Sequence, residues 1–273
     1  MILPGEIQRI AARLKLRDTQ IEKDYVISWV LNGISSSGYL KERLIFKGGT
    51  ALRKIYFPDY RLSEDLDFTY IYREPDFDEI RKHFTGLIEW VKEESRIILD
   101  LQDEIIHQTG NYNFYLGYQG PLGGRVKNKK IKIDISSDEI LCSKEEEKRV
   151  INEYSDLTKE YYLSTYTLAE IITEKLRSLM QRSAPRDLYD IWYLLEENGG
   201  DIEDYIYDFQ KKAERKEIDY SKLVEVVLKK ESVFKKQWEE QLVNQVQNVP
   251  EFDNVWRHLG RHWKKFTKSL FFI

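Results

Sequence analysis

The spacing of apolar residues changes along the chain and predicts a mixed first part and a helical second part. Residues 6–34 carry apolar side chains near a period of 3.6, which predicts two helices, the second capped by Asp18 or Thr19. Residues 76–100 show a similar pattern and are also predicted to be helical. From residue 167 onward the helical period continues without strand-like alternation, so this part is predicted to contain helices only.

Shorter segments in the first part are predicted to be strands: the first is a short apolar run, as in a buried strand, the third has aromatic residues at every second or third position, and the second and last alternate apolar and polar residues, as half-buried strands do. They are residues 44–46, 61–70, 112–118 and 130–136, and a helix is predicted to restart over 50–55. The last of these strands has the strictest alternation in the chain. The pattern predicts an α+β fold, with an N-terminal lobe over residues 1–160 and a helical lobe over 161–273.

Composition excludes several classes of protein. The chain has 273 residues, of which 41% are hydrophobic and 33% charged, values typical of a folded domain rather than a disordered one. No apolar run approaches the roughly 18 residues that span a bilayer, and the N-terminus lacks a signal-peptide pattern. The only cysteine is Cys142, which fits a reducing compartment. We therefore expect a cytoplasmic protein without membrane contact, and the net charge of -4 leaves nucleic-acid binding to local patches.

An acidic pattern is the main candidate for chemistry. The period of a strand places Asp65 and Asp67 on one face, where two carboxylates repel each other unless cations lie between them. Asp134, on the polar face of another predicted strand, can supply a third carboxylate. Two Mg²⁺ ions about 3.5 to 4 Å apart require such a cluster of oxygens. The alternative is a solvated strand edge, but aspartate is a poor strand former, which favours a functional site.

A glycine turn precedes this acidic strand. Gly48 and Gly49 lie between a predicted strand and a helix, where backbone N–H groups can approach a triphosphate. Thr50 can donate its hydroxyl to the same ligand. A Gly-Gly pair more often serves only as a turn, so the interpretation depends on the acidic strand that follows.

A third set of candidates lies on two consecutive predicted helices. Lys175 and Arg182 share one helix face, and Arg186 and Asp190 lie one turn apart on the next helix. One interpretation is surface pairing worth a few tenths of a kcal/mol per pair. The other is a positively charged wall for a triphosphate, oriented by Asp190 and its neighbour Asp187.

The ordered motifs of this sequence resemble those of the AbiEii/AbiGii-type nucleotidyltransferase toxins, which belong to the DNA-polymerase-beta-like superfamily. The resemblance covers residues of about 22 to 195. Its motifs are residues 22–25, 47–52, 61–68, Asp134, 174–176, Arg182 and 186–190. The resemblance implies a polymerase-beta-like mixed sheet with flanking helices in the first lobe and a C-terminal helical lobe.

The resemblance also implies roles for individual residues. Asp65 and Asp67 would bind metal, and Asp134 would complete the site and help activate the attacking hydroxyl. Lys175 would contact the nucleotide phosphates, and Asp190 would be the last active-site element. The residues assigned to nucleotide binding are Gly48, Gly49, Thr50, Ser63, Lys175, Arg182 and Arg186.

Family members of known activity are toxins of toxin-antitoxin or abortive-infection systems, some of which add nucleotides to the 3′ end of tRNA. The resemblance therefore implies an NTP substrate, two Mg²⁺ ions or Mn²⁺ in their place, an RNA acceptor, a cognate antitoxin and a role in phage defence. Transfer to a protein hydroxyl or a small molecule remains an alternative, as does a non-catalytic nucleotide-binding module.

The C-terminal segment allows two interpretations. Basic residues alternate there with Trp256, Trp263 and Phe266, a pattern that suits stacking of RNA bases between cations. An amphipathic helix that packs the aromatic residues inward explains the same spacing. His258 and His262 lie one helical turn apart, but no third ligand is evident, so zinc binding is not expected.

Overall fold

The computed structural model describes residues 1–72, 75–108 and 110–270. It divides into two compact units: the first comprises Met1–Glu139 and Glu145–Tyr166, and the second comprises Ile140–Lys144 and Thr167–Ile273. The predicted boundary at residue 160 lies a few residues before this division. Within the described residues, no helix has both the length and the apolar character needed to cross a membrane.

Helices of the first unit flank its sheet. They are α1 (Pro4–Leu14), α2 (Asp18–Ser36), α3 (Gly38–Arg43), α4 (Gly48–Ala51) and α5 (Phe77–Ser95). The two predicted N-terminal helices are confirmed. The helix predicted to restart at Thr50 begins at Gly48, and α4 runs directly into a π-helical turn over Leu52–Tyr56.

One mixed sheet lies at the centre of the first unit. In the described part of the chain its strands are β1 (Leu44–Lys47), β2 (Leu66–Tyr70), β3 (Ile98–Ile106), β4 (Tyr112–Gln119), β5 (Lys130–Ser136), β6 (Glu146–Arg149) and β7 (Tyr162–Thr165). Their order is β3-β4-β5-β2-β1-β7-β6. Strand β2 runs parallel to β5, and β1 runs parallel to β7, whereas the other neighbours are antiparallel. The predicted α+β class with a mixed sheet is confirmed.

Two predicted elements were wrong in their extent. The helix predicted over 76–100 ends at Ser95, where Arg96 adopts a left-handed conformation with φ of 66°, and the chain then enters β3. The strand predicted over 61–70 begins only at Leu66. Glu64 explains the second difference, because its carboxylate accepts hydrogen bonds from α2, at 3.4 Å from Gln20 and 3.1 Å from Lys23. These contacts hold the chain in a loop until β2 starts.

The apolar face of the sheet forms the core of the first unit. Phe46 on β1 contacts Phe68 on β2, with ring centroids 5.4 Å apart, and Phe84 on α5 contacts Phe114 on β4 at 4.8 Å. All four side chains are fully buried. Because aromatic side chains bury the largest apolar areas, these contacts fix α5 against one face of the sheet. The opposite face is left for polar residues.

Helix α2 anchors several separate segments of the first unit through consecutive residues. Residues 22–25 each bind a different partner: Glu22 binds Lys129 at 2.5 Å, Lys23 binds Glu64 at 3.1 Å, Asp24 binds Lys54 at 2.6 Å and Tyr25 binds Asp156 at 2.7 Å. Burial alone would raise the pKa of Asp24, but the charges of Lys54 and Arg53 more than offset this and lower it. The motif at residues 22–25 therefore has a structural role in this chain.

The second unit contains only helices and turns among its described residues. They are α6 (Leu168–Gln181), α7 (Pro185–Trp192) with a π-helical turn over Tyr193–Glu197, α8 (Ile206–Arg215), α9 (Leu223–Lys229), α10 (Glu231–Leu242) and α11 (Phe252–Ser269), with short 3-10 turns at Ile202–Tyr205 and Tyr220–Lys222. A buried ion pair of 2.6 Å joins Glu170 to Lys212. Glu170 also accepts from the backbone N–H of Cys142, and Lys212 donates to the carbonyl of Ile140. These bonds attach the 140–144 segment to this unit.

Candidate active site

A row of polar residues crosses four neighbouring strands of the first unit. Lys47 on β1 pairs with Asp67 on β2, Asp67 pairs with Asp134 on β5, and Asp134 pairs with Asn113 on β4. Residues paired in this way lie on the same face of the sheet, and adjacent strands are roughly 4.8 Å apart. The fold therefore places Asp67 and Asp134 side by side, although 66 residues of sequence separate them.

Asp65 lies just before β2 and is held there through its backbone. The hydroxyl of Thr50 donates a hydrogen bond to the carbonyl oxygen of Asp65. Thr50 is itself fully buried. The hydroxyl predicted to contact a nucleotide thus has a different partner, because the start of α4 packs against the residue that precedes β2. Thr50 positions Asp65 in this structure.

Asp134 has one paired oxygen and one unpaired oxygen. Its Oδ2 accepts a hydrogen bond from Lys132 at 2.7 Å. Its Oδ1 is buried and has no hydrogen-bond partner within the described part of the chain. Partial burial lowers the pKa of Lys132, but the hydrogen bond to Asp134 and the charges of Asp134 and Asp65 outweigh it and raise that pKa. The ammonium of Lys132 therefore lies in the field of two of the predicted site carboxylates.

The glycine turn lies against the carboxylate of Asp67. Gly48 has φ of +80°, a left-handed conformation that glycine adopts without strain, and an added Cβ would overlap Oδ2 of Asp67. At Gly49 an added Cβ would come within 2.7 Å of the Arg61 guanidinium and 3.1 Å of the Ser63 hydroxyl. The structure thus brings Gly48, Gly49, Ser63 and Asp67 together as predicted neighbours. It adds Arg61, whose buried positive charge the sequence analysis did not assign to the site.

Carboxylate oxygens are the ligands that Mg²⁺ and Mn²⁺ prefer. Asp67 and Asp134 are adjacent, and the unpartnered buried Oδ1 of Asp134 is the kind of atom that a cation would satisfy. Across residues 1–72, 75–108 and 110–270, no three His, Cys, Asp or Glu side chains are already grouped as a ligand set. The donor chemistry fits a divalent cation, and the assignment of Asp65, Asp67 and Asp134 as metal ligands stays a prediction.

The predicted residues of the second unit form a buried ionic cluster. Lys175 contacts Asp187 at 2.8 Å and Asp190 at 2.9 Å, and both carboxylates are fully buried. Arg182 donates to Asp187 from Nε at 2.6 Å and from Nη2 at 3.0 Å. Burial alone would raise the pKa of Asp187, but the charges of Lys175 and Arg182 outweigh burial and lower it. Surface pairing is thus the wrong description, because the carboxylates of this cluster lie inside the unit.

Arg186 differs from its neighbours in this cluster. It lies in the first turn of α7 and is half-buried, and its side chain makes no ion pair within the described residues. Asp187, one residue later, is the carboxylate that joins Lys175 to Arg182. The sequence analysis gave Asp187 only an orienting role, since its two contacts come from α6 and cannot be read from spacing along α7.

Helix α11 favours the amphipathic interpretation of the C-terminal segment. Trp263 is 3% exposed and Phe266 is fully buried, so neither ring is available to stack on a base. Among the interleaved basic residues, Arg261 pairs with Glu196 at 2.7 Å and Lys265 pairs with Asp201 at 2.5 Å. The segment packs as part of the helical unit.

Comparison with known proteins gives one family match. The model of the family described as nucleotidyl transferase AbiEii toxin, type IV TA system, matches residues 29–262. This range contains every residue of the polar row and of the ionic cluster around Lys175. A search of curated proteins found no significant match.

The solved structures with a similar fold include proteins from two bacteria. The nucleotidyltransferase toxin MenT4 of Mycobacterium tuberculosis aligns with a TM-score of 0.62 and 18% identity, over 98% of this chain and 90% of that one. JHP933 from Helicobacter pylori aligns with a TM-score of 0.56 and 19% identity, over 93% and 94% of the two chains. At these identities the likeness concerns the fold.

Proposed function

Because this chain belongs to the AbiEii family of nucleotidyltransferase toxins of type IV toxin-antitoxin systems, we propose that it transfers a nucleoside monophosphate from an NTP to an RNA. The 3′ end of tRNA is the proposed acceptor. Family membership makes the chain a nucleotidyltransferase and implies an NTP substrate and an antitoxin partner. The observation that carries the proposal is the pairing of Asp67 with Asp134 beside the glycine turn at Gly48.

In this proposal Asp65, Asp67 and Asp134 would hold two Mg²⁺ ions, for which Mn²⁺ could substitute. When bound, the ions neutralise charge on the triphosphate and favour in-line displacement of pyrophosphate. The acceptor hydroxyl attacks the α-phosphorus, forms a new P–O bond and breaks the bond to pyrophosphate. Asp134 would also help to activate the acceptor hydroxyl by taking up its proton.

The residues around the carboxylates supply positioning and charge. Gly48 allows the carboxylate of Asp67 to lie against the turn, which an added Cβ would prevent. Gly49 and Ser63 line the same turn, where Arg61 contributes positive charge for a triphosphate. For the second unit the resemblance alone supports nucleotide contact, and the roles of Lys175, Arg182, Arg186 and Asp190 stay predictions.

A labelling experiment tests the acceptor. The protein is incubated with Mg²⁺, total RNA and each labelled NTP in turn, and the products are separated into RNA, protein and small molecules. We expect label in the RNA fraction, concentrated at tRNA 3′ ends, and its loss when EDTA removes the metal. Label that remains on protein or on a small molecule would overturn the RNA acceptor while leaving the nucleotidyltransferase activity intact.

The same activity has a proposed role in the cell. Transfer of nucleotides to tRNA ends would block translation, so expression of the chain would inhibit growth, and the antitoxin would relieve this. Growth arrest of infected cells would make the system a phage defence. These roles rest on the family, since the polar row describes the donor site and not the acceptor.

A further inference from the structure

Lys132 occupies an unusual position for a strand lysine. It lies two residues before Asp134 on the polar face of β5, and its ammonium reaches forward along the strand to bind Oδ2 of Asp134 at 2.7 Å. The charge of Asp65 acts on the same ammonium. Lys132 therefore binds Asp134 directly and interacts electrostatically with Asp65. Both carboxylates belong to the metal site of the proposed function.

The carboxylates need a counter-ion at all times. Asp67 and Asp134 are paired across neighbouring strands, and like charges at that separation destabilise the sheet unless a positive charge lies near them. A divalent cation can supply that charge only while it is bound. When no cation is bound, the ammonium of a lysine can supply the positive charge. Lysine is also readily displaced, because its flexible side chain binds a carboxylate as a point charge and lacks the rigid, two-pronged guanidinium of arginine.

We propose that Lys132 is a built-in counter-ion that holds Asp134 in the metal-free protein and is displaced from Oδ2 when a divalent cation binds. This inference rests on the proposed function. Lys132 thereby sets the metal affinity of the site: a cation bound by both oxygens of Asp134 takes Oδ1, which has no hydrogen-bond partner among the described residues, and competes with the ammonium for Oδ2. It also keeps the carboxylates in place for the arriving ion.

Lys130 offers a matched control on the same strand. Its side chain is 36% exposed and pairs with Asp103 at 2.5 Å, whereas that of Lys132 is 34% exposed and pairs with Asp134. Lys130→Met and Lys132→Met therefore remove the same charge from the same strand at the same exposure. They differ in which carboxylate loses its partner.

Mn²⁺ binding followed by electron paramagnetic resonance tests the inference without any measurement of activity. We expect Lys132→Met to bind Mn²⁺ roughly two- to fivefold more tightly than wild type, the size expected for loss of one competing ion pair. Lys130→Met should bind like wild type, and Lys132→Arg, which keeps the charge and binds a carboxylate through a fixed fork, should bind Mn²⁺ no more tightly than wild type. In EDTA, Lys132→Met should unfold at a lower temperature than Lys130→Met, and saturating Mn²⁺ should remove that difference.

Equal or weaker Mn²⁺ binding by Lys132→Met, with normal binding by wild type, would overturn the inference and leave the proposed function standing. Absence of Mn²⁺ binding by wild type, alone and with a non-hydrolysable NTP, would overturn the metal assignment and this inference together. A stability loss in Lys132→Met that persists in saturating Mn²⁺ would mean that Lys132 is a fixed part of the fold, and it would also overturn the exchange.

Discussion

Gly48 shows how closely a single residue controls the carboxylates of the site. Its left-handed backbone turns the chain from β1 into α4, and its missing side chain leaves the space that Asp67 fills. The two requirements are independent, because one concerns the backbone angle and the other concerns contact. Any other residue at this position meets both obstacles.

Gly48→Ala should therefore reduce both stability and transfer. The left-handed angle alone should cost about 1 to 3 kcal/mol in the free energy of unfolding, and displacement of the Asp67 carboxylate should lower kcat by about tenfold or more. Urea unfolding and the labelled NTP assay measure the two effects. Gly86→Ala is the control: an added Cβ at this exposed position of α5 meets nothing within 4 Å, so it should stabilise by about 0.5 to 1 kcal/mol. Wild-type activity in Gly48→Ala would contradict the role of the turn.

At the scale of single residues, the sequence predicts which residues belong to the candidate site better than it predicts which residues they contact. Asp67 and Asp134 stand out because aspartate is rare on strands, and the strict alternation of β5 places Asp134 on a polar face. The partner of Thr50 and the side-by-side pairing of Asp67 with Asp134 depend on strand register between distant segments. Alternation along one strand carries no information about which strand lies beside it.

Helices α6 and α7 are joined by charge in the interior of the second unit. Asp187 accepts from Lys175 and Arg182, and its own helix supplies neither of these partners. Asp187 contributes to stability because removal of its charge would leave the buried ammonium of Lys175 with one carboxylate partner among the described residues, Asp190, instead of two. Its lowered pKa reflects the same interaction.

Asp187→Asn should destabilise the second unit by about 2 kcal/mol at pH 7, the size expected for the loss of hydrogen bonds to a charged group. A carboxyl whose pKa is lowered by folding contributes fully above its unfolded pKa of about 3.9, and this contribution is lost as the pH falls toward the folded value. The difference in free energy of unfolding between wild type and variant should therefore shrink below about pH 4. Asp204→Asn, at an exposed position of the same unit, should change stability by less than about 0.5 kcal/mol at any pH. Equal stability of wild type and Asp187→Asn at pH 7 would contradict the stabilising role of Asp187.

A variant of Arg186 can distinguish a functional role of the α6–α7 helix pair from a structural one. Since its side chain makes no ion pair in the described part of the chain, Arg186→Ala should leave the free energy of unfolding within about 0.5 kcal/mol of wild type. If the resemblance assigns it correctly, the variant should lose about tenfold or more in kcat/KM for the NTP. Arg215→Ala, at an exposed position of α8, provides the control and should retain activity. Unchanged kcat/KM in Arg186→Ala would remove Arg186 from the nucleotide-binding residues.

Two strands that the sequence analysis missed, β3 and β6, share a physical cause. Strand β6 has the sequence Glu-Glu-Lys-Arg and lies at the edge of the sheet, where charged residues discourage pairing with other chains but hide the strand pattern. Strand β3, at the other edge, is mostly exposed and follows α5 without a glycine or proline to mark the change. Both strands form because the backbone of a neighbouring strand hydrogen-bonds to them. This depends on tertiary structure and not on the local sequence.

At the scale of the whole molecule, each unit keeps its own buried polar network. The first is anchored by α2 through residues 22–25, and the second by the clusters around Asp187 and Glu170. The proposed function connects the polar row of the first unit to toxicity. If that connection holds, growth inhibition and nucleotide transfer should depend on the same carboxylate.

The comparison of wild type with Asp67→Asn tests this most directly, with Asp100→Asn on the exposed part of β3 as the control. Transfer of label from NTP to RNA and growth on expression are measured for all three proteins, after circular dichroism has verified the fold. The account predicts that Asp67→Asn loses transfer by about 100-fold or more and no longer inhibits growth, while Asp100→Asn behaves as wild type. A folded Asp67→Asn that still labels RNA or still arrests growth would contradict the account.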